Sequence, residues 1–254
     1  AQFDQNFNSQ SSYIAKVGHS MGAMYGYIYE GTYKLDDFNK SGNSYTLKSN
    51  VPYYTSEANT QPGMPKYRDL NDDGVINTND CTFIGNGLPT HTGGFTNNFN
   101  YRDFDFSFFF QWSYGNDVLN ANRLMFESSW NRTRELNQFA SYADRWTIDN
   151  PTSNIPRATS SSSNRVFSSR IIEDGSFLRL KTLTLGYTVP RKAISRVGID
   201  QLRIYFAAQN LFTISNYSGY DPEVSIRESA LTPGLDFSAY PRARSFSFGI
   251  NLGF

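Results

Sequence analysis

From Phe246 to Phe254 every second residue is large and apolar. Phe246, Phe248, Ile250, Leu252 and Phe254 alternate with Ser247, Gly249, Asn251 and Gly253. Unbroken period-two alternation predicts a β-strand whose two faces meet different surroundings. The same pattern recurs upstream. In 201–213, Leu202, Ile204, Phe206, Ala208 and Phe212 oppose Gln201, Arg203, Gln209 and Thr213. In 176–189 the alternation is clear only in the second half, through Leu183, Leu185, Tyr187 and Val189. Its first half changes face, which predicts a bulge or the point where the strand leaves lipid. In 104–115, Phe104, Phe106, Phe108, Phe110, Trp112 and Tyr114 face Asp105, Ser107, Gln111 and Ser113. In 93–101, Phe95, Phe99 and Tyr101 face Thr96, Asn98 and Asn100. Only Arg102 and Asp103 separate these last two strands, so they predict a tight hairpin.

The connections alternate in length. A two-residue turn follows Tyr101, then about sixty residues follow the next strand, about ten the next and about thirty the next. Short and long in turn is the layout of an outer-membrane barrel, with short periplasmic turns and long outer loops. A periplasmic carboxyl terminus then sets every strand direction and places the long loops outside the cell. A terminal aromatic such as Phe254 also resembles the signal read by the barrel-insertion machinery. The first ninety or so residues read differently. Only 23–35 (AMYGYIYEGTYKL) is strand-like, and 36–90 reads as a large loop with little regular structure. About five strands fall short of the eight or so that a closed single-chain barrel needs. The chain is therefore expected to be one part of a wall whose other strands lie elsewhere, since open edges in lipid leave backbone groups unpaired.

Composition narrows the picture. The chain holds 21 Phe and 17 Tyr, yet mean hydropathy is −0.52. Aromatics diluted in polar residues suit strands with one greasy and one wet face. Twenty-three basic residues balance 23 acidic ones, which gives no footprint for nucleic acid. The single cysteine, Cys81, excludes an intramolecular disulfide framework and any multi-cysteine metal site. The two histidines, His19 and His91, make a His-rich metal site an unpromising expectation. No secretory leader pattern opens the sequence, and no stretch approaches the length of an apolar membrane helix.

Several long motifs in order carry a resemblance. They are YGYIYEGTY (25–33), KYRDLNDDGVINTND (66–80), IGNGLPTHTGGFTNNFNYRDFDFSFFFQWSYGNDVLN (84–120), RWTIDNPTSNIPR (145–157), IIEDGSFLRLKTLTLGYTVP (171–190), QNLFTISNYSGYDPEV (209–224) and YPRARSFSFGINLGF (240–254). Over essentially its whole length the chain resembles the carboxy-terminal quarter of the SusC/RagA family of TonB-dependent outer-membrane transporters. The resemblance implies an all-β fold, the last strands and outer loops of a 22-stranded transmembrane antiparallel β-barrel with an internal plug. It implies energy from the TonB complex, a SusD-type surface lipoprotein over the barrel, and uptake of an oligosaccharide or, in some members, a peptide. The plug and the TonB-contacting segment do not lie in these 254 residues, so this chain is not expected to transport alone.

One stretch carries metal chemistry. DLNDDGVINTND (69–80) has the spacing of a calcium loop. Asp69, Asn71 and Asp73 supply side-chain oxygens, Val75 a carbonyl, and Asn77 a direct or water-mediated contact. Asp80 holds the twelfth position, where a longer Glu usually binds through both oxygens. Gly74 permits the turn and Ile76 can anchor the loop. No helix pattern flanks it, so a structural Ca2+ in a non-EF-hand setting is expected. The plainer alternative is an Asn/Asp/Gly turn cluster. Trp130, Trp146, Tyr217 and Tyr220 fall in outer loops and are candidates for stacking on sugar rings, although packing between loops explains each as simply. A serine nucleophile needs a positioned base, and the two histidines, in loop-like segments, are poor candidates for one, so no enzyme is expected. The competing architectures are a soluble calcium-stabilised β-sandwich that binds glycans and a complete small membrane barrel acting as an enzyme or adhesin.

Overall fold

The computed structural model describes residues 2–4, 11–128, 136–159, 166–226 and 229–254. It divides into two compact units. One gathers Pro89–Asn116, Asp174–Val224 and Tyr240–Phe254 and is a wall of strands. The other gathers Ala1–Leu88, Asp117–Glu173 and Ser225–Ala239.

The wall is a five-stranded antiparallel meander: His91–Tyr101, Phe104–Tyr114, Phe177–Thr188, Gln201–Ser215 and Ser245–Gly253, each beside its neighbour in sequence. The first pair runs in unbroken register from His91↔Tyr114 to Tyr101↔Phe104. The turn between them needs a positive φ, which Arg102 adopts at 55°. The polar link after Thr188 holds the short helix Arg191–Ile194. Both short connections lie at one end of the sheet, and the long segments leave from the other.

The third strand contains the face change that its sequence predicts. Phe109 pairs with Thr182 and Phe110 with Leu180, so Lys181 is one residue extra. The fourth strand adds another: Thr182 meets Gln209 and Leu180 meets Phe212, with Asn210 at φ 51° between them. One extra residue reverses a strand's faces, and two restore them. Leu178 and Leu180 therefore share the apolar face with Leu183, Leu185 and Tyr187 despite the break in parity. The fourth strand keeps even-numbered residues outward throughout. Lys181 is left on the polar face, where its Nζ donates to Gln111 Oε1.

The apolar face is open. Phe246, Phe248 and Ile250 are 54%, 82% and 64% exposed. A β-sandwich would bury these residues, so that alternative fails. The rings pack along the face rather than into a core: Phe206 lies against Phe246 and Phe248 at 6.1 and 5.0 Å, and Phe110 meets Phe212 at 6.1 Å. The opposite face carries polar pairs, such as Arg203 Nη2 to Asp105 Oδ2 at 2.6 Å.

The second unit corrects the expectation of a long structureless loop over 36–90. Phe38–Ser41 pairs with Ser44–Leu47, Tyr29–Thr32 with Pro65–Tyr67, Tyr53–Tyr54 with Val75–Ile76, and Ala23–Gly26 with Thr82–Asn86. The single strand expected over 23–35 is two short ones, in different sheets. These strands are too short for periodicity to show. Long-range packing stabilises them instead. One cluster joins Tyr13, Met24, Leu119, Leu124, Phe167, Ile171 and Leu235, and so draws on all three segments. Others join Tyr27, Tyr67, Ile76 and Val166, and Tyr33, Phe38 and Leu47.

The face assignment has a direct consequence. Phe108→Arg in the full-length protein places a charge on the apolar face near mid-strand and is expected to cost about 2–4 kcal/mol in lipid. Ser107→Arg, one residue away on the polar face, is expected to cost far less. Guanidinium unfolding in vesicles measures both, and equal losses would contradict the assignment.

Candidate functional site

The 69–80 loop is built from two anchors. Ile76, which is buried, plugs the Tyr27–Tyr67 cluster while its strand pairs with Tyr53–Tyr54. Asp80 closes the far end in a 3-10 turn, Thr78–Asp80, and is fully buried. Its Oδ1 accepts from Leu70 N at 2.9 Å and its Oδ2 from Asn77 N at 2.8 Å. A buried carboxylate taking two backbone amides is stabilised by charge-assisted bonds. Positive φ at Asp72 (58°) and Gly74 (82°) lets the chain turn tightly between these anchors.

The remaining oxygens form a ladder of Asx turns. Asp69 accepts from Asp72 N and Gly74 N, both at 2.8 Å. Asn71 Oδ1 accepts from Asp73 N at 3.1 Å, and Asp73 Oδ1 accepts from Val75 N at 2.8 Å. Asn71 Nδ2 donates to Asp73 Oδ2 at 2.8 Å, and Asn77 Nδ2 to the Val75 carbonyl at 3.0 Å. The donor types and spacing suit calcium. The present arrangement does not gather them: among the described residues no three Asp, Glu, His or Cys side chains converge on a metal-sized point. An ion would have to displace the Asn71–Asp73 contact and draw on second lone pairs of carboxylates already bonded to amides.

Of the candidate aromatics, Trp130 lies outside the described residues. Trp146 is buried, its ring over Gly63 and under the Arg157 guanidinium at 5.8 Å. Tyr217 is buried against Gly219. Both pack loop structure. Tyr220 is 86% exposed and so is free to meet a ligand ring.

The wall holds a polar node that residue spacing does not reveal. Arg179, on the polar face of the third strand, is 2% exposed. Its Nε donates to Thr213 Oγ1 at 3.0 Å, its Nη1 to Glu223 Oε2 at 3.1 Å, and its Nη2 to Asp221 Oδ1. Arg242 completes the node, through Nη2 to Glu223 Oε1 at 3.0 Å and its own amide to Asp221 Oδ2 at 3.2 Å. The buried guanidinium thus pins the start of a long connection, 217–224, to the wall, and Asp221 and Glu223 tie the end of the same connection, at Arg242, to that start. Burial alone would raise the Asp221 carboxyl. The Glu223 amide, the Arg179 guanidinium and the Arg242 amide outweigh it and hold the group below the usual carboxylate range.

No family model matches the chain. It is similar to TonB-dependent receptor P3 of Formosa agariphila, at 32% identity over 254 residues, 98% of this chain and 24% of that protein. TonB-dependent receptor SusC of Bacteroides thetaiotaomicron is 30% identical over 200 residues, 78% of this chain and 18% of that protein. Among solved structures, a chain in "Structure of the RagAB peptide transporter" matches with a TM-score of 0.71 at 22% identity, over 98% of this chain and 24% of that one. The chain therefore spans about a quarter or less of the length of the curated relatives it matches.

Removing the node's centre tests it. Arg179→Met leaves two carboxylates without their buried cation and is expected to cost about 3–5 kcal/mol in guanidinium unfolding of the full-length protein. A depressed folded-state pKa stabilises above the unfolded value and loses that contribution as pH falls through the folded one. Asp221 should therefore contribute above about pH 4 and fade below it, with Asp221→Asn flattening that part of the acid slope. An unchanged slope would remove Asp221 from the account.

Proposed function

We propose, because this chain belongs to the SusC/RagA family of TonB-dependent receptors, that it forms the last strands and outer loops of a barrel for TonB-dependent nutrient uptake. Receptors of this family are outer-membrane proteins. The observation that carries the reading is the five-stranded wall with its uncovered apolar face, matched to receptor P3 over 98% of the chain. In this reading the long connections are extracellular, and the carboxyl terminus is periplasmic. The remaining strands and the plug belong to the same transporter. A SusD-like lipoprotein sits over the outer mouth, and the TonB complex acts through a segment outside these residues.

The substrate we propose is an oligosaccharide, with Tyr220 an exposed loop ring available to stack on it. Peptide import is the second reading, favoured by the fold shared with the RagAB peptide transporter. Calcium belongs to the same proposal. It would be held by Asp69, Asn71, Asp73, the Val75 carbonyl, Asn77 and Asp80, and would lock a long outer loop without entering the transport step. The spacing and the positive-φ turn at Gly74 support it.

Two experiments separate these statements. Cells carrying the full-length transporter should take up labelled oligosaccharides or peptides only while the TonB complex is intact, and competition between the two classes names the substrate. Uptake that persists without TonB would defeat the transport reading. Calorimetric titration of calcium into the purified transporter should give binding that Asp69→Ala with Asp73→Ala abolishes. Unchanged heats in the double variant would assign the loop to turn chemistry alone.

A further inference from the structure

The apolar face of the wall carries a cleft of about 430 Å3 at the end from which the long connections leave. Its floor is one cross-strand row, with Trp112 opposite Leu178 and Leu178 opposite Ile214. Its rim, beyond the strand ends, is polar: Asp174, Ser176 and Asn216. Trp112 lines the cleft with its indole turned toward the first strand. The indole Nε1 donates to His91 Nδ1 at 3.2 Å, and the ring lies over Gly93, where any side chain would collide with it. His91 stacks on Tyr114 at 5.2 Å, which fixes the acceptor.

The rim is ordered too. Asp174 Oδ1 accepts from Ser176 N at 2.9 Å, and Ser176 Oγ accepts from Gly115 N at 3.0 Å. Hydrogen bonds from Ser176, with a further one from Asn216, outweigh desolvation and hold the Asp174 carboxyl below its usual range. Asp174 is therefore an anion at neutral pH. Among the described residues no Lys or Arg lines the cleft.

An apolar row beneath a polar rim matches an amphiphile at the junction of chain and head group. The row continues the face that lipid tails cover. A fixed carboxylate with no Lys or Arg beside it among the described residues disfavours phosphate and accepts from hydroxyls. We propose that this cleft binds a glycolipid of the outer leaflet, its acyl chain along Trp112, Leu178 and Ile214 and its sugar hydroxyls donating to Asp174. The proposal rests on the outer-membrane reading above.

Two amphiphiles with the same chain and different heads test it: dodecyl maltoside and dodecylphosphocholine. Native mass spectrometry of the full-length transporter should show one retained maltoside per molecule. Retention should be at least about tenfold lower for the phosphocholine, a difference of about 1.4 kcal/mol. Asp174→Ala should lower maltoside retention to a similar extent. Gly93→Leu, which pushes the indole back over the floor, should do the same in protein whose heat-modifiable migration is unchanged. Equal retention of both amphiphiles, or undiminished maltoside retention in Asp174→Ala, would overturn the site. A transporter that extracts without detergent would instead defeat the membrane reading itself.

Discussion

A backbone amide in hydrocarbon has no water to bond, so it must find a partner on the neighbouring strand. This constraint organises the wall. Each strand pairs with its sequence neighbour along nearly its whole length, and the only departures are the bulge at Lys181 and its counterpart at Asn210. With the backbone committed, the side chains divide by surroundings. Most rings and aliphatic chains take the outer face, while Asn, Thr, Ser and the Asp105–Arg203 pair take the inner one together with Phe109, Phe177 and Tyr205. The bulge shows this division at work. An extra residue would turn Arg179 toward lipid and Leu178 toward water in one strand of the wall if the parity of its sequence were kept. Instead the parity breaks where the bulge falls, and Arg179 reaches Asp221 and Glu223 on the polar side.

The second unit obeys a different rule. Its strands are two to five residues long and cannot rely on a continuous ladder. Among the described residues three hydrophobic clusters hold them, each with at least one buried tyrosine, and some of these rings also reach backbone carbonyls. Tyr13 donates to the Pro233 carbonyl at 2.9 Å and Tyr33 to the Pro52 carbonyl at 2.7 Å. The 69–80 loop is part of this packing, because Ile76 and Asp80 are both buried. Its Asx ladder orders the loop from its own amides, and a bound ion would have to reopen part of an arrangement that is already closed.

The wall was readable in the residues because lipid on one side and polar surroundings on the other impose alternation over nine to fifteen residues. Even the face change near Lys181 left a trace. The second unit was not readable, since a pairing such as Tyr53–Tyr54 with Val75–Ile76 is too short for any period. The Arg179 node also escaped, because its acidic partners lie 42 and 44 residues away and only the fold brings them together. Spacing identified the 69–80 loop but could not separate calcium ligation from turn chemistry, for which the same Asp, Asn and Gly residues are suited. Nor could it tell that Trp146 and Tyr217 are buried while Tyr220 is exposed.

Everything depends on lipid covering the aromatic face. Nitroxide labels at positions 248 and 247 of the full-length protein in lipid vesicles address this most directly, through their accessibility to oxygen and to a water-soluble nickel relaxant. The label replacing Phe248 should be relaxed by oxygen and shielded from nickel, and the label replacing Ser247 should show the reverse bias. Strong nickel relaxation at position 248 would place that face in water and contradict the account.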